Sequence, residues 1–385
     1  MNSETSHNDI RNSIRKLCTQ FDGNYWRACD REKKYPIEFV GALTSAGFLS
    51  ALIPEKYGGA GLPLSAGAAI LEEIHRSGGN AGACHAQMYT MGTILRHGSE
   101  KQKTEYLPKI ARGELRLQAF GVTEPSSGSD TSSLKTIASY DGKNYIINGQ
   151  KVWTSRAEYS DLLILLARTT PIEKVKKPTD GLSVFLVDMR EHIGKSLTIK
   201  PIRTMMNHST TELFFEDLPI SPQNLIGDLD CGFRCILSGL NAERILISAE
   251  CIGDAKWFIE KAQQYAKDRK VFNRPIGQNQ GIQFPIARAY SKMCAAELML
   301  REAINLFDQG KNPGKESNLA KLLCSEASWE AAETCMQTFG GFGFAEEYEV
   351  ERKYREARLY QVAPISTNLI LSFIAEHVLK LPRSY

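Results

Sequence analysis

The chain has 385 residues, more than one hydrophobic core usually holds, so two or three subdomains are expected. Its 42% hydrophobic and 24% charged residues are typical of a soluble globular protein, and its net charge of +3 favours neither nucleic acid nor an anionic membrane as a partner. No apolar run is long enough to span a bilayer. Residues 1–7 lack the apolar core of a signal peptide, so we expect a cytoplasmic protein.

The segment before Gln118 is predicted to be helical. Apolar residues recur at helical spacing in residues 37–43, 65–76 and 101–114, and a stretch rich in proline and glycine separates the first two. These signals predict an N-terminal α-helical domain over residues 1–118.

The character of the chain then changes to that of a β-domain. Asp141 and Gly142 stand between two alternating segments, which predicts a hairpin. Further short apolar or alternating runs occur at residues 162–166, 182–187 and 212–216. We therefore predict a middle β-domain over residues 119–228.

A polar segment opens this domain. Residues 120–130 (FGVTEPSSGSD) offer hydroxyls and backbone amides that suit a heteroaromatic ligand or a phosphate. Trp153, Thr154 and Ser155 follow the hairpin and place an indole and two hydroxyls near that segment. An ordinary polar surface loop remains the alternative interpretation of these residue types.

Long periodic stretches return beyond Gly232. They cover residues 233–267, 282–309, 317–339 and 369–381. Long amphipathic helices with short connections predict an antiparallel bundle, which we place at residues 229–385.

The cysteines show no pattern of a metal site or a disulfide framework. The nine cysteines include no Cys-x-x-Cys pair, and the adjacent Cys84 and His85 lack the second ligand pair that zinc usually needs. We expect reduced, mostly buried thiols and no metal.

Motifs spread over most of the chain resemble, in the same order, those of the acyl-CoA dehydrogenase family. They are residues 120–130 with 147–155 (INGQKVWTS), residues 269–272 (RKVF) with 275–277 (PIG) and Gln280, residues 337–343 (QTFGGFG), and residues 354–357 (YREA). The resemblance implies a mainly α fold with a central β-barrel-like domain and a C-terminal four-helix bundle. It also implies an FAD-dependent enzyme of fatty acid metabolism that acts on an acyl-CoA, passes electrons to an electron-transferring flavoprotein and forms a homo-oligomer, either a dimer or a homotetramer.

The resemblance assigns FAD contacts to residues in four parts of the chain. They are Phe120, Val122, Thr123, Ser129, Trp153, Thr154, Ser155, Arg269, Phe272, Gln280, Gln337, Gly340, Gly341, Ser366 and Asn368. Ordinary roles remain open for single members, such as a helix C-terminus for Gly340 and Gly341.

The family's reaction removes the proton next to a thioester carbonyl while the neighbouring carbon gives hydride to the flavin. Most members carry the base in a Glu-Gly-Thr segment, and that position here is Pro364, which cannot take a proton. A minority, which includes the isovaleryl and long-chain enzymes, carries the base on the long helix in a Leu-x-x-Glu-Arg setting. Residues 240–244 (LNAER) match that setting, so we predict Glu243 as the base. A solvated helix glutamate paired with a cation is the alternative.

The resemblance also implies substrate contacts at Ser129, Asn241 and Arg244, although a plain surface arginine remains the alternative for Arg244. Pro364 lacks the backbone N–H that the family uses to hold the thioester carbonyl. Either the amide of Ile365 takes over or a flavin hydroxyl acts alone. The alternatives for function are a dehydrogenase of carrier-protein thioesters, an enoyl-CoA reductase, and a non-catalytic flavin- or CoA-binding protein.

Overall fold

A computed structural model of the chain describes residues 7–384. Most of the N-terminal segment on which we based the absence of a signal peptide, residues 1–6, lies outside the described residues. The chain divides into two compact units. We call the first, Met1–Pro36 with Pro63–Ala81 and Asn241–Tyr385, the helical unit, and the second, Ile37–Leu62 with Gly82–Leu240, the sheet unit.

The helical unit contains most of the long helices. Its elements are α1 Asn8–Cys18, α2 Gly23–Glu32, α4 Leu64–Arg76, the part of α7 Gly232–Asp268 from Asn241 onward, α8 Gln280–Asp308, α9 Gly314–Phe339, α10 Val350–Arg358 and α11 Thr367–Phe373, with a small hairpin of β9 Lys270–Val271 and β10 Arg274–Pro275. Three members of the predicted C-terminal bundle, α7, α8 and α9, are long, and the fourth, α11, is short and continues into a π-helical turn at Ile374–Val378.

A buried charge cluster ties α4, α7 and α10 together. His75 Nδ1 lies 2.9 Å from Asp254, and Lys353 pairs with the same carboxylate. Burial opposes the ionisation of Asp254, but the charges and hydrogen bonds of Lys353 and His75 together outweigh it and lower the Asp254 pKa. Gly253 next to it allows α7 to approach α4, because a Cβ there would stand 2.2 Å from the Glu72 carbonyl oxygen. This cluster fixes the helix that carries Glu243.

The sheet unit holds three whole helices, the first part of α7 (residues 232–240) and one sheet. The helices are α3 Ile37–Ser45, α5 Gly82–His97 and α6 Glu100–Ala111, and the strands are β1 Leu117–Gly121, β2 Ile137–Tyr140, β3 Tyr145–Ser155, β4 Leu162–Arg168, β5 Leu182–Asp188, β6 Leu197–Pro201, β7 Thr210–Ile220 and β8 Leu225–Ile226. The strand order is β6-β7-β3-β2-β4-β5-β8, with β1 parallel to β4. This sheet is the predicted central β-domain of the chain.

Strands β4 and β5 are buried on both faces. Alternate residues such as Ile164 and Val184 pack with apolar residues of α5 and α6, while Leu165 and Phe185 pack with residues of β3 and β7. Because successive side chains point to opposite faces of a sheet, a continuous apolar run serves two cores.

The hairpin prediction is confirmed, with a longer loop than expected. Tyr140 pairs with Tyr145, so the connection is the four residues 141–144. Asp141 accepts hydrogen bonds from the N–H groups of Lys143 and Asn144, and of the loop residues only Gly142 has a positive φ, of 100°. The aspartate therefore forms the turn through its side chain.

The helix predictions at residues 37–43, 65–76 and 101–114 coincide with α3, α4 and α6, whereas α10 was not predicted. All nine cysteines are free thiols. In residues 7–384 no group of His, Cys, Asp and Glu has the arrangement of a metal site. Nor does any helix in that range have the length and apolarity to cross a membrane.

Candidate active site

The polar segment after β1 is fixed to β3 by a buried ion pair. Lys151 Nζ lies 2.8 Å from Glu124 Oε1 and donates to the Val122 carbonyl at 3.0 Å. The Glu124 carboxylate also accepts from the backbone N–H groups of Lys135 and Thr136. Burial opposes the ionisation of Glu124, but the Lys151 charge and the hydrogen bonds from Lys151, Thr136 and Lys135 together outweigh it and lower the Glu124 pKa, while burial lowers the Lys151 pKa to about 8. Both groups are thus charged at neutral pH and hold the segment in one position.

A bulge in β3 separates the three predicted residues at its end. The register against β7 shifts between Lys151 and Thr154, and Trp153 has a φ of 59°. A bulge re-aims side chains, and a positive φ is rare for a bulky residue and is found mostly at functional sites. The Trp153 indole is 59% exposed and Ser155 is half-buried, so both are open to a ligand.

Thr154 lies in the interior instead. Its side chain is fully buried, and within residues 7–384 its hydroxyl has no hydrogen-bond partner. Its carbonyl accepts from Thr211 Oγ1 at 2.7 Å. The structure therefore does not bring the Thr154 hydroxyl to the exposed side of Trp153.

The remaining predicted contacts of the sheet unit are partly or fully exposed: Phe120, Val122, Thr123 and Ser129. The Phe120 ring packs edge-to-face on Tyr89 of α5, with 5.4 Å between ring centroids, and Tyr89 packs likewise on His85 at 5.2 Å. The Thr123 carbonyl accepts from the Val152 N–H at 2.9 Å. These contacts make a wall of aromatic rings beside the polar segment.

Glu243 lies on α7 with 7% of its surface exposed. The residues that follow it on the helix, Ile245 and Leu246, are buried as well. The alternative of a solvated surface glutamate does not fit a side chain buried to this extent.

Asn241 and Arg244 form a small polar group beside Glu243. Arg244 Nη1 donates to Asn241 Oδ1 at 2.9 Å, and Ser317 Oγ of α9 donates to the same oxygen at 3.1 Å. Burial lowers the Arg244 pKa against the attraction of Glu243. Arg244 is therefore a desolvated cation and not a free surface arginine.

The loop that contains Pro364 is anchored by a buried lysine. Lys321 Nζ of α9 donates to the carbonyls of Tyr360 and Ile365 at 2.6 and 2.7 Å. The Tyr360 hydroxyl donates to Glu250 of α7 at 3.0 Å. Pro364 itself is exposed.

Ser366 and Asn368 lie where this loop leads into α11. Ser366 is half-buried and is the N-cap of the helix, with its Oγ accepting from the Leu369 N–H. Asn368 is exposed. The capping bond gives Ser366 a structural role besides the predicted cofactor contact.

The other predicted cofactor residues of the helical unit are all exposed: Arg269, Phe272, Gln280, Gln337, Gly340 and Gly341. Phe272 is 94% exposed and stands with Asn273 in the turn between β9 and β10, where both residues have positive φ. Such turns favour glycine and asparagine, so the fold does not explain a phenylalanine here.

The glycine turn after α9 is open as well. Gly340 has a φ of 58°, and a Cβ at Gly340 or Gly341 would meet no atom within 4 Å. The Arg269 guanidinium lies over the Phe342 ring at 5.5 Å.

These residues fit a flat, phosphate-bearing cofactor such as FAD. In the sheet unit Trp153 offers an exposed aromatic face, and in the helical unit Arg269 offers an exposed cation near the open glycine turn, which suits a phosphate group. Within the sheet unit Trp153 and Ser155 would suit a ring system, and within the helical unit Arg269 would suit a phosphate.

Family models match along almost the whole chain. The acyl-CoA dehydrogenase N-terminal, middle and C-terminal domains match residues 4–114, 119–218 and 230–379. Helices before and after a central sheet, together with these three matches, are those of an FAD-dependent oxidoreductase that acts on a CH–CH bond. The chain belongs to the acyl-CoA dehydrogenase family, whose members oxidise the α,β-bond of acyl-CoA thioesters.

Individual proteins agree with this assignment. The chain is 33% identical over 353 residues to an acyl-CoA dehydrogenase of Bacillus subtilis and to a 3-(aryl)acrylate reductase of Clostridium sporogenes, with 91% of this chain and 92% of each relative covered. The solved butyryl-CoA dehydrogenase of Megasphaera elsdenii has a TM-score of 0.88 at 28% identity and covers 96% of this chain and 98% of its own.

Sequence reasoning missed two lysines that organise the site. Lys151 was noted only as part of a motif, and Lys321 was not noticed because it lies in a regular helical stretch. Lys321 could have been recognised because it occupies an apolar position in the helical pattern of α9, and a buried lysine needs a polar partner.

Proposed function

We propose that this chain oxidises an acyl-CoA to the 2-enoyl-CoA with Glu243 as the catalytic base. The burial of Glu243 on α7 carries the proposal, together with a proline at the position where most of the family has its base. A carboxylate out of bulk water, beside the desolvated cation Arg244, suits proton abstraction.

The chain's own residues bind the thioester, orient it and take one proton. The Glu243 carboxylate accepts the proton of the α-carbon, and the electron pair of that C–H bond becomes the new C=C bond. When bound, FAD supplies the acceptor for the hydride that leaves the β-carbon. Arg244 contacts the nucleotide end of CoA in this proposal, and Asn241 and Ser129 are proposed substrate contacts.

The wider setting is part of the same proposal. The proposed domains of the chain are residues 1–118, 119–228 and 229–385. An electron-transferring flavoprotein is the proposed acceptor, by the family resemblance, and fatty acid metabolism the proposed context. A cytoplasmic location is supported by nine free thiols, which suit a reducing compartment.

Anaerobic titration tests the function directly. The FAD-loaded protein is mixed with straight, branched and aromatic acyl-CoAs, and the absorbance of oxidised flavin is followed. We expect bleaching by at least one member of the panel and the appearance of the enoyl-CoA. A protein that binds flavin but is bleached by none of them would contradict the proposal for CoA thioesters, and the same panel on a carrier protein would test that alternative.

An enoyl reductase is the second candidate. The 33% identity to a relative named 3-(aryl)acrylate reductase favours it. Chemically reduced enzyme is mixed with aryl-acrylates and enoyl-CoAs, and reoxidation of the flavin is measured. Fast reoxidation without any reduction by acyl-CoAs would select the reductase.

A homo-oligomer, with a tetramer as the favoured form, is proposed from the exposed apolar residues of the helical unit. Besides Phe272, the side chains of Phe284 and Leu298 on α8 are 58% and 63% exposed. An apolar helix face of this kind is typical of a protein–protein interface.

Replacing Phe272 with serine tests the role of that turn. Because the ring is 94% exposed, folding stability should change by less than about 0.5 kcal/mol. Loss of an aromatic contact to FAD should weaken FAD binding about tenfold. FAD affinity by fluorescence and mass by light scattering are the measurements, with Ile172→Ser as the exposed control; unchanged affinity and mass would remove Phe272 from the site.

A further inference from the structure

Polarisation of the thioester carbonyl needs a donor, and the chain has a proline where the family has its amide. Acidity of the α-proton rises when hydrogen-bond donors stabilise negative charge on the carbonyl oxygen. Pro364 has no N–H. The residues around it show which group is available.

Contacts of α9 place the Pro364 loop beside the α7 segment that carries Glu243. Ser317 and Lys321 are four residues apart, so they share one face of α9. Ser317 donates to Asn241, two residues before Glu243, while Lys321 holds the loop at its two ends.

A second contact fixes the loop from the other side. The Tyr360 hydroxyl donates to Glu250, which follows Glu243 by seven residues and so lies on the same face of α7. Glu243 therefore lies on α7 between Asn241, which is hydrogen-bonded to α9, and Glu250, which is hydrogen-bonded to Tyr360 of the loop.

The Ile365 amide is a free donor of this loop, next to Pro364. Its carbonyl oxygen is fixed by Lys321 at 2.7 Å, and in the part of the chain that the structure describes its N–H donates to no acceptor. Burying an amide without a partner is costly, so an N–H left open in a half-buried loop suits a ligand.

We propose that the Ile365 N–H polarises the thioester carbonyl in place of the amide missing at Pro364, and that Lys321 is the positioning residue that aims it. This inference rests on the proposed function, because it assigns the donor for the same reaction. Burial lowers the Lys321 pKa to about 8, so the ammonium is present at neutral pH and donates to both carbonyls.

Binding of two ligands that differ only in the carbonyl tests the inference. The FAD-loaded enzyme is titrated with an acyl-CoA and with its thioether analogue, which has a CH₂ in place of the C=O. Ile365→Pro removes the N–H, and Ile365→Ala keeps it. We expect Ile365→Pro to lose the preference for the thioester and to slow flavin reduction about 10²–10³-fold, while thioether binding stays as in Ile365→Ala.

Lys321→Met tests the positioning role, with Lys315→Met on the same helix as the exposed control. The expected result is a loss of thioester preference in Lys321→Met and none in the control. Equal weakening of both ligands would show a purely structural lysine and overturn that assignment.

Two outcomes separate the inference from the function. If Ile365→Pro reduces flavin and prefers the thioester as the wild type does, the donor assignment is wrong and the dehydrogenase remains. If the wild type binds both ligands but is reduced by no acyl-CoA, the function is wrong, and the ratio of the two affinities still reports whether the amide contacts the carbonyl.

Discussion

Replacing Glu243 with glutamine is expected to slow flavin reduction by acyl-CoA at least about 10²–10⁴-fold, the usual contribution of a general base. Glutamine has nearly the same shape and still hydrogen-bonds, so FAD and acyl-CoA should remain bound. Stopped-flow absorbance under anaerobic conditions measures the rate, and the shift of the flavin spectrum on adding acyl-CoA measures binding.

Glu260→Gln is the matched control for this experiment. Glu260 lies on the same helix but is half-exposed and pairs with Arg76 at 2.8 Å. Its variant should keep the wild-type rate. Reduction of Glu243→Gln at the wild-type rate would rule out Glu243 as the base and return attention to the loop of Pro364.

Replacing Lys151 with methionine is expected to have the largest effect on stability. The Glu124 carboxylate would remain buried without its cation, and breaking a buried pair in this way costs about 3–5 kcal/mol. The polar segment held by this pair should also lose its affinity for FAD. Urea unfolding and FAD titration measure the two effects, with the exposed Lys143→Met as control.

The pH dependence of this destabilisation follows from the lowered Glu124 pKa. In the wild type the carboxylate stabilises the fold above its unfolded pKa, and that contribution is lost as pH falls through the lowered folded value. In Lys151→Met the buried carboxyl takes up its proton more readily. The stability gap between variant and wild type should therefore narrow from pH 7 towards pH 4, and a gap of constant size would contradict the ion-pair explanation.

Local sequence patterns predicted the elements that have one apolar and one polar face. The hairpin at Asp141 and Gly142, and the helices α3, α4 and α6, follow from alternation or helical spacing. Helix α5 has buried residues on most of its surface, so its sequence shows little periodicity and it was not singled out. Ordered motifs identified the family, because residue types at fixed spacing survive where periodicity fails.

The sequence predicted candidate site residues but not the orientation of their side chains. Alternation along a strand places Trp153 and Thr154 on opposite faces, yet only the bulge shows which of them is exposed. The hold of Lys321 on the loop joins residues about forty positions apart, and no local pattern contains that information. Contacts between residues so far apart in the chain depend on how the helices pack. The sequence indicates which residues are buried but not which helices they contact.

Strand β4, which is buried on both faces, also has a consequence for the chain before it folds. Its sequence, LLILLAR, carries no charge until its last residue, because no position faces water in the native sheet. A strand in the native edge of a sheet usually carries a charged residue that discourages pairing with other chains. Strand β4 has no such charged residue before Arg168. A variant that delays folding of the sheet unit would therefore expose a segment that is prone to aggregation. We expect such a variant to form insoluble aggregates before it loses catalytic activity.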